Sequence, residues 1–184
     1  MMQHIKIINR ATYVILALVI IGVIYFTYQK PVKVHPELVV TQRESFTALV
    51  QTKMPLRDSI VSFGRNYLGT PYVTAGCSEN GFDCSGFVYF VFQHFDITVP
   101  RSSASFEHFG TEIPIAAVQK GDILLFLSPT RNTIGHIGIV SKSNGMKSDF
   151  IHATSGREMQ VVVTNLTNKG YTQRFVKAIR VIKP

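Results

Sequence analysis

A chain of 184 residues holds one ordinary domain with a segment to spare, because domains most often run to roughly 100–150 residues, and it is too short for two enzymes. Hydrophobic residues make up 46% and charged residues 16%, which excludes a disordered linker protein; two cysteines, Cys77 and Cys84, exclude a disulfide-built scaffold and, with no paired His spacing, a structural zinc site. Of the 19 basic residues behind the net charge of +8, four (Lys6, Arg10, Lys30 and Lys33) precede the first acidic residue, Glu37; the other 15 face 11 acidic residues, too small an excess to indicate a nucleic-acid partner.

Between those bases Ala11 to Tyr28 run for 18 residues without a charge, near the short end of the roughly 17–25 that span a membrane. A secretory signal has a shorter apolar run, about 7–15 residues, and a small-x-small cleavage site. The following FTYQKPVK has neither that site nor a cysteine to take a lipid. Residues 1–30 are therefore expected to be an uncleaved membrane anchor rather than a removed signal or a buried core helix. Two bases on each side leave its orientation open. Residues 31–53, with Pro31 and Pro36, suit a spacer holding a short helix in TQRESFTALVQT, and residues 54–184 form the domain.

Within the domain, PLRDSIVSFGRNYLGTPY spaces Ile60, Phe63 and Tyr67 helically, with Asp58 or Ser59 in the first turn and Gly69 as a stop. NGFDCSGFVYFVFQHF sets a turn before an apolar run read as a buried helix, with a strand as the alternative. KGDILLFL, HIGIVSK, DFIHAT, MQVVVTNL and FVKAIRVI alternate or run apolar between turn residues, as strands of a mostly antiparallel sheet do. Helices followed by a strand meander predict an α+β fold.

Cys84 follows Asp83 at the start of the predicted apolar helix, where free backbone N–H groups and the positive dipole end are expected to stabilise a thiolate. Asp83 suits the N-cap, and Gly86 lets other backbone or a substrate come close. A lone cysteine is otherwise a packed small hydrophobe. If GHIGIV and FIHATS pair about a turn at Asn144, His136 and His152 fall directly opposite each other on one face, unless a bulge turns one of them away. Two unrelated strand histidines are the alternative. Together the three residues offer a nucleophile, a base beside it and a group that fixes the base's tautomer.

The pieces GTPYVTAGCSENGFDCSGFV, VPRSS, KGDILLF, GHIGIV and FIHATS, in that order, resemble the NlpC family of bacterial cell-wall cysteine peptidases, from about Asp58 to the C-terminus. The order Cys before His separates it from circularly permuted relatives. The resemblance implies a papain-like α+β fold, Cys84 as nucleophile, His136 as base and His152 as the third polar residue. It implies that the Tyr72 hydroxyl faces the reacting carbonyl, beside the Cys84 backbone N–H, and that Asp83, Ser85, Arg101 and Ser102 line the substrate groove. Where the family often has a small residue near Cys77 and a Gln near Phe106, this chain differs, so a different peptide is expected in the groove. Of the remaining residues, Cys77 reads as a packed thiol, His94 and His108 as surface or satisfied histidines, and Gly121-Asp122 as a turn entering a strand.

The expectation is a membrane-anchored cysteine endopeptidase cutting amide bonds in peptidoglycan stem peptides outside the cytoplasm through an acyl-enzyme. It needs no cofactor and no metal; its partners are the stem peptides and, through the N-terminal helix, a membrane. The sequence fixes no oligomeric state, a monomer being the simplest. An amidase or acyltransferase on a lipid or protein would use the same triad. A non-catalytic wall-binding module is disfavoured, because competent residues fill all three triad positions.

Overall fold

The computed structural model of the protein describes residues 10–28, with side chains from Tyr13 onward, and residues 54–182. The chain divides into two units, 1–53 and 54–184. In the first, α1 (Arg10–Tyr28) is apolar around its whole circumference, with exposed side chains from Tyr13 to Tyr28. Its 19 residues at 1.5 Å each give about 28 Å, just short of the roughly 30 Å hydrocarbon core of a bilayer. Among the described residues no helix is long and apolar enough to cross a membrane. The expected transmembrane helix is thus corrected to an exposed apolar helix that falls just short of a full span. The spacer 31–53 and the short helix expected in it lie outside the described residues.

The second unit opens with α2 (Leu56–Arg65), which starts at Pro55, carries Asp58 in its first turn and buries Ile60, Val61 and Gly64. Turns carry the chain on to Gly69, whose φ of +87° suits glycine. A small antiparallel hairpin, β1 (Cys77–Ser78) with β2 (Gly81–Phe82), then delivers the chain to α3 (Cys84–Gln93). The apolar run there is a helix, because the Asp83 side chain caps it: Oδ1 accepts from the Gly86 N–H at 2.6 Å.

Six further strands form one antiparallel sheet: β3 (Thr111–Ile113), β4 (Ile123–Leu127), β5 (Ile134–Lys142), β6 (Asp149–Ala153), β7 (Val161–Asn165) and β8 (Phe175–Arg180), in the order β3-β8-β4-β5-β6-β7. The five strands read from the sequence are all present, but the meander ends at β7. After a short helix, α4 (Lys169–Thr172), β8 returns to pair with β4 and carries β3 on its outer side. β4 is therefore flanked on both sides, and both its faces are covered: Ile123 and Leu125 pack with α2 and α3 residues such as Ile60, Phe87 and Val91, while Leu124 and Phe126 pack with Val140, Phe150 and Leu166. That two-sided cover explains why ILLFL reads as a continuous apolar run rather than an alternation. At the start of β4, Asp122 is fully buried between Arg57 of α2 (3.0 Å) and Arg180 of β8 (2.8 Å) and accepts from the Gln119 N–H at 2.7 Å. The turn expected at Gly121-Asp122 is thus also an ionic clamp joining a helix to the sheet.

Candidate active site

Cys84 is the first residue of α3 and is 8% exposed. Its Sγ lies 3.8 Å from the Gly135 carbonyl oxygen, and the backbone N–H groups of Ser85, Ile137 and Cys84 itself face the sulfur. The two β5 groups at the sulfur, from Gly135 and Ile137, flank His136 in sequence. Burial first, and the adjacent Asp83 carboxylate second, push the thiol up, and the three N–H groups offset only part of this. The expectation of a stabilised thiolate is corrected accordingly: the resting group is the thiol, because desolvation outweighs the helix end.

His136 and His152 meet through Nε2 and Nδ1 at 2.9 Å, their rings nearly perpendicular. The ladder pairs Ile139 with Ile151 and Val140 with Phe150, so His136 and His152 are diagonal neighbours on one face rather than directly opposed. The predicted register is off by two residues, since a 3-10 turn over Gly145–Lys147 and a bulge near Lys142 replace the tight turn at Asn144. A shift of two preserves the face, and the contact survives. Two glycines make room for it. Gly135 is the extra residue of a bulge in the β4–β5 ladder, where a Cβ would come within 2.5 Å of the Ser128 Cβ and 2.7 Å of its Cα. At Gly138 a Cβ would come within 2.5 Å of the Phe150 ring and 3.1 Å of the His152 Cβ.

His152 is fully buried, and its Nε2 lies 2.9 Å from the Thr164 hydroxyl on β7. Phe126, Phe150 and Tyr171 pack against the two imidazoles. Burial first, with the Arg174 charge second, pushes His136 down to about 3, and burial lowers His152 as well, helped by His136 and Arg174. Both rings are neutral at pH 7. A neutral imidazole hydrogen-bonded through Nε2 to a second ring keeps Nδ1 for a proton from a nucleophile.

The other predicted site residues divide. Asp83, Ser85 and Arg101 form one cluster: Arg101 takes the Asp83 carboxylate with both terminal nitrogens (3.0 and 2.9 Å), reaches Ser85 Oγ at 3.2 Å and donates to the carbonyls of Ala75 and Gly76. This clamp ties the loop before β1 to the start of α3, and at Gly86 a Cβ would fall on the Gly76 carbonyl oxygen. Ser102 stands apart, exposed and bonded to Ser105 Oγ at 2.8 Å. Tyr72, half-buried, has its phenol pushed up by burial first, with Cys84 and Asp83 adding to it, while a hydrogen bond with Ser155 and the Arg101 charge act the other way. Both cysteines are free; Cys77 Sγ donates to the Gly86 carbonyl at 3.7 Å, and His94 stacks on Phe63 at 3.7 Å. Phe106 is fully buried in the core.

A cavity of about 260 Å³ opens at His136, lined by Gly135, Thr154, Ser155, Tyr171 and Arg174 among others. Larger hollows of about 410 and 530 Å³ share Phe109, Val181 and Ile182 and hold no predicted site residue. Thr164, Tyr171 and Arg174 escaped the sequence reading. The only signal for them was a hydroxyl closing the apolar run VVVT and an aromatic three residues before an arginine in YTQR.

A buried cysteine at a helix start, set against paired histidines on an antiparallel sheet, defines the papain-like class of α+β cysteine-hydrolase folds. The profile of the NlpC/P60 family matches residues 69–180, and the chain belongs to that family. It is 31% identical over 127 residues to a gamma-D-glutamyl-L-lysine dipeptidyl-peptidase of Bacillus cereus, an alignment covering 68% of this chain and 37% of that protein. It is 33% identical over 122 residues to the murein DD-endopeptidase MepH of Escherichia coli, covering 64% of this chain and 43% of that one. The chain thus spans well under half of either relative. Among solved structures, an NlpC/P60 family protein from Bacillus cereus superposes with a TM-score of 0.63 at 29% identity, over 70% of this chain and 41% of that one. The NlpC/p60 domain of the peptidoglycan hydrolase SagA does so with a TM-score of 0.56 at 28% identity, over 68% of this chain and 99% of that one.

Proposed function

We propose that the protein is a cysteine endopeptidase that hydrolyses amide bonds in peptidoglycan stem peptides. The observation that carries this is the His136–His152 contact at 2.9 Å on the strand whose Gly135 carbonyl meets the Cys84 sulfur; membership of a family with named murein and glutamyl peptidases supports the substrate class. Because the thiol is pushed up and His136 down, attack begins from a neutral pair. As Sγ bonds to the carbonyl carbon, its proton passes to His136, and the oxyanion is held by the Cys84 backbone N–H and the Tyr72 hydroxyl. His152 orients His136 and shares the charge of the imidazolium. The imidazolium protonates the leaving amine as the C–N bond breaks, and water, giving its proton to His136, releases the acid and restores the thiol. The Arg101–Asp83–Ser85 clamp fixes the groove wall beside the nucleophile.

The apolar circumference of α1 needs lipid or protein cover, and the substrate lies outside the cytoplasm, so the second half of the proposal is a membrane-held enzyme facing the wall. Full-length protein in detergent, incubated with muropeptides and read by mass spectrometry, is expected to give amide cleavage that Cys84→Ala abolishes and Cys77→Ser retains. An active Cys84→Ala variant refutes the nucleophile, and intact muropeptides refute the substrate. Protease added outside spheroplasts is expected to digest the domain in the membrane fraction; protection places it in the cytoplasm and removes the substrate.

A further inference from the structure

Resting on the reading of the site as an amide hydrolase, we infer that Arg174 is a substrate-binding residue that pairs with a carboxylate on the leaving-group side of the scissile amide. His136, which gives the leaving amine its proton in that reading, lines the same cavity of about 260 Å³ as Arg174. Whatever carries the amine is thereby brought to the guanidinium.

Arg174 is built for this contact in three ways. It is held in place: Nε donates to the Gly170 carbonyl at 2.9 Å, Nη1 to the Leu127 carbonyl at 3.0 Å, and the guanidinium sits 5.1 Å from the centre of the Tyr171 ring. It is uncompensated: among the described residues no carboxylate pairs with it, whereas Arg57, Arg101 and Arg180 each hold an aspartate. It also has donors to spare, since a guanidinium offers five N–H groups and both those on Nη2 are unused among the described residues.

An unpaired, half-buried cation in a catalytic cavity opposes protonation of the nearby base, and the Arg174 charge contributes to the lowering of both His136 and His152. A substrate carboxylate seated on Arg174 neutralises it where His136 must become an imidazolium. The bound anion therefore assists proton transfer as well as binding, and a substrate lacking it is penalised in kcat as well as KM. Thr154 and Ser155 are among the remaining lining residues, which suits a polar end group.

The ligand class is a leaving residue with a free carboxylate, either beside the scissile amine or at the far end of a diamino diacid. The test uses the full-length protein and three γ-glutamyl peptides: a leaving lysine with its α-carboxylate free, the same lysine as the α-carboxamide, and a diamino diacid amidated at the α-carboxylate only. Cleavage of the first over the second by at least tenfold in kcat/KM locates the carboxylate beside the amine; preference for the third over the second locates it at the far end. Arg174→Gln is expected to bring all three to within about twofold of one another in kcat/KM, so that the preference for the acids is lost.

Equal cleavage of the three peptides by the unmodified enzyme overturns the inference and leaves the hydrolase reading standing. So does an equal fall on all three in Arg174→Gln, which marks a purely structural arginine. Binding of the same peptides to Cys84→Ala, followed by the NMR signals of the His136 and Tyr171 rings, separates the two readings. If the unmodified enzyme cleaves nothing, the hydrolase reading fails, and the subsite then stands or falls on whether Cys84→Ala prefers the acids at least tenfold and loses that preference in Cys84→Ala/Arg174→Gln.

Discussion

Thr164 closes the row of hydrogen bonds behind His136, and replacing it tests whether proton direction along that row matters. In the productive arrangement His136 donates Nε2–H to His152 Nδ1 and His152 donates Nε2–H to the Thr164 oxygen, both at 2.9 Å, which leaves His136 Nδ1 open to accept from Cys84. In the reverse arrangement Thr164 donates, both rings carry the proton on Nδ1, and His136 is no longer a base. Thr164→Val keeps the shape but removes the acceptor, so the productive arrangement holds an orphaned N–H at a ring that is fully buried. An unsatisfied donor costs about 1–3 kcal/mol, roughly a 5- to 150-fold effect at 1.4 kcal/mol per tenfold. Thr164 is only half-buried, and water takes over part of the role, so the expected fall in kcat is about 5- to 30-fold, in the lower half of that range. KM is expected to stay within twofold, and Thr164→Ser to stay near the unmodified rate. Steady-state kinetics on muropeptides, with nitrogen NMR of the histidine tautomers, gives the answer. A Thr164→Val variant as fast as the unmodified enzyme, or a Ser variant as slow as Val, refutes the reasoning.

Two further outcomes follow from the same site. His136 titrates near 3 when folded but near 6.5 when unfolded, so between those values only the unfolded chain takes up the proton and stability falls as pH falls. From pH 7 to pH 5 the loss is about 2 kcal/mol for an unscreened ring and about 1 kcal/mol after discounting for the exposed edge of His136, with His152 adding in the same direction; urea unfolding at the two pH values measures it, and stability that rises on acidification contradicts it. Gly138→Ala drives a methyl group into the Phe150 ring and the His152 Cβ, so activity is expected to drop more than tenfold for a stability loss of about 1–3 kcal/mol. Thermal melts alongside kinetics distinguish this from simple unfolding, and full activity in a folded variant contradicts it.

The local parts of the fold were legible because apolar runs bounded by Gly, Pro and Asp mark helices and strands without reference to distant residues. FDCSGFV announced its own cap, and GHIGIV and FIHATS announced their strands. What stayed hidden depends on partners far along the chain. Nothing in FVKAIRVI tells β8 to turn back to β4, and Arg101 meets Asp83 from 18 residues away. The histidine register slipped by two because the turn takes more residues than Asn-Gly alone suggests, yet the face was right, since face depends only on whether the offset is even. The thiol was misjudged because the sequence displays the helix start but not the burial that outweighs it.

The sheet separates two apolar layers, and the groups proposed to react are divided between them. Cys84 belongs to α3, whose Phe87, Val88, Val91 and Phe92 are embedded in the layer shared with α2, whereas the two imidazoles rest against Phe126, Phe150 and Tyr171 in the other. The spacing between sulfur and imidazole is therefore set where two separately packed solids join, through the few backbone atoms of Gly135 to Ile137. A void opened in either layer is expected to change that spacing before it unfolds the protein, so the proposed site is tuned, and damaged, from both faces of the sheet.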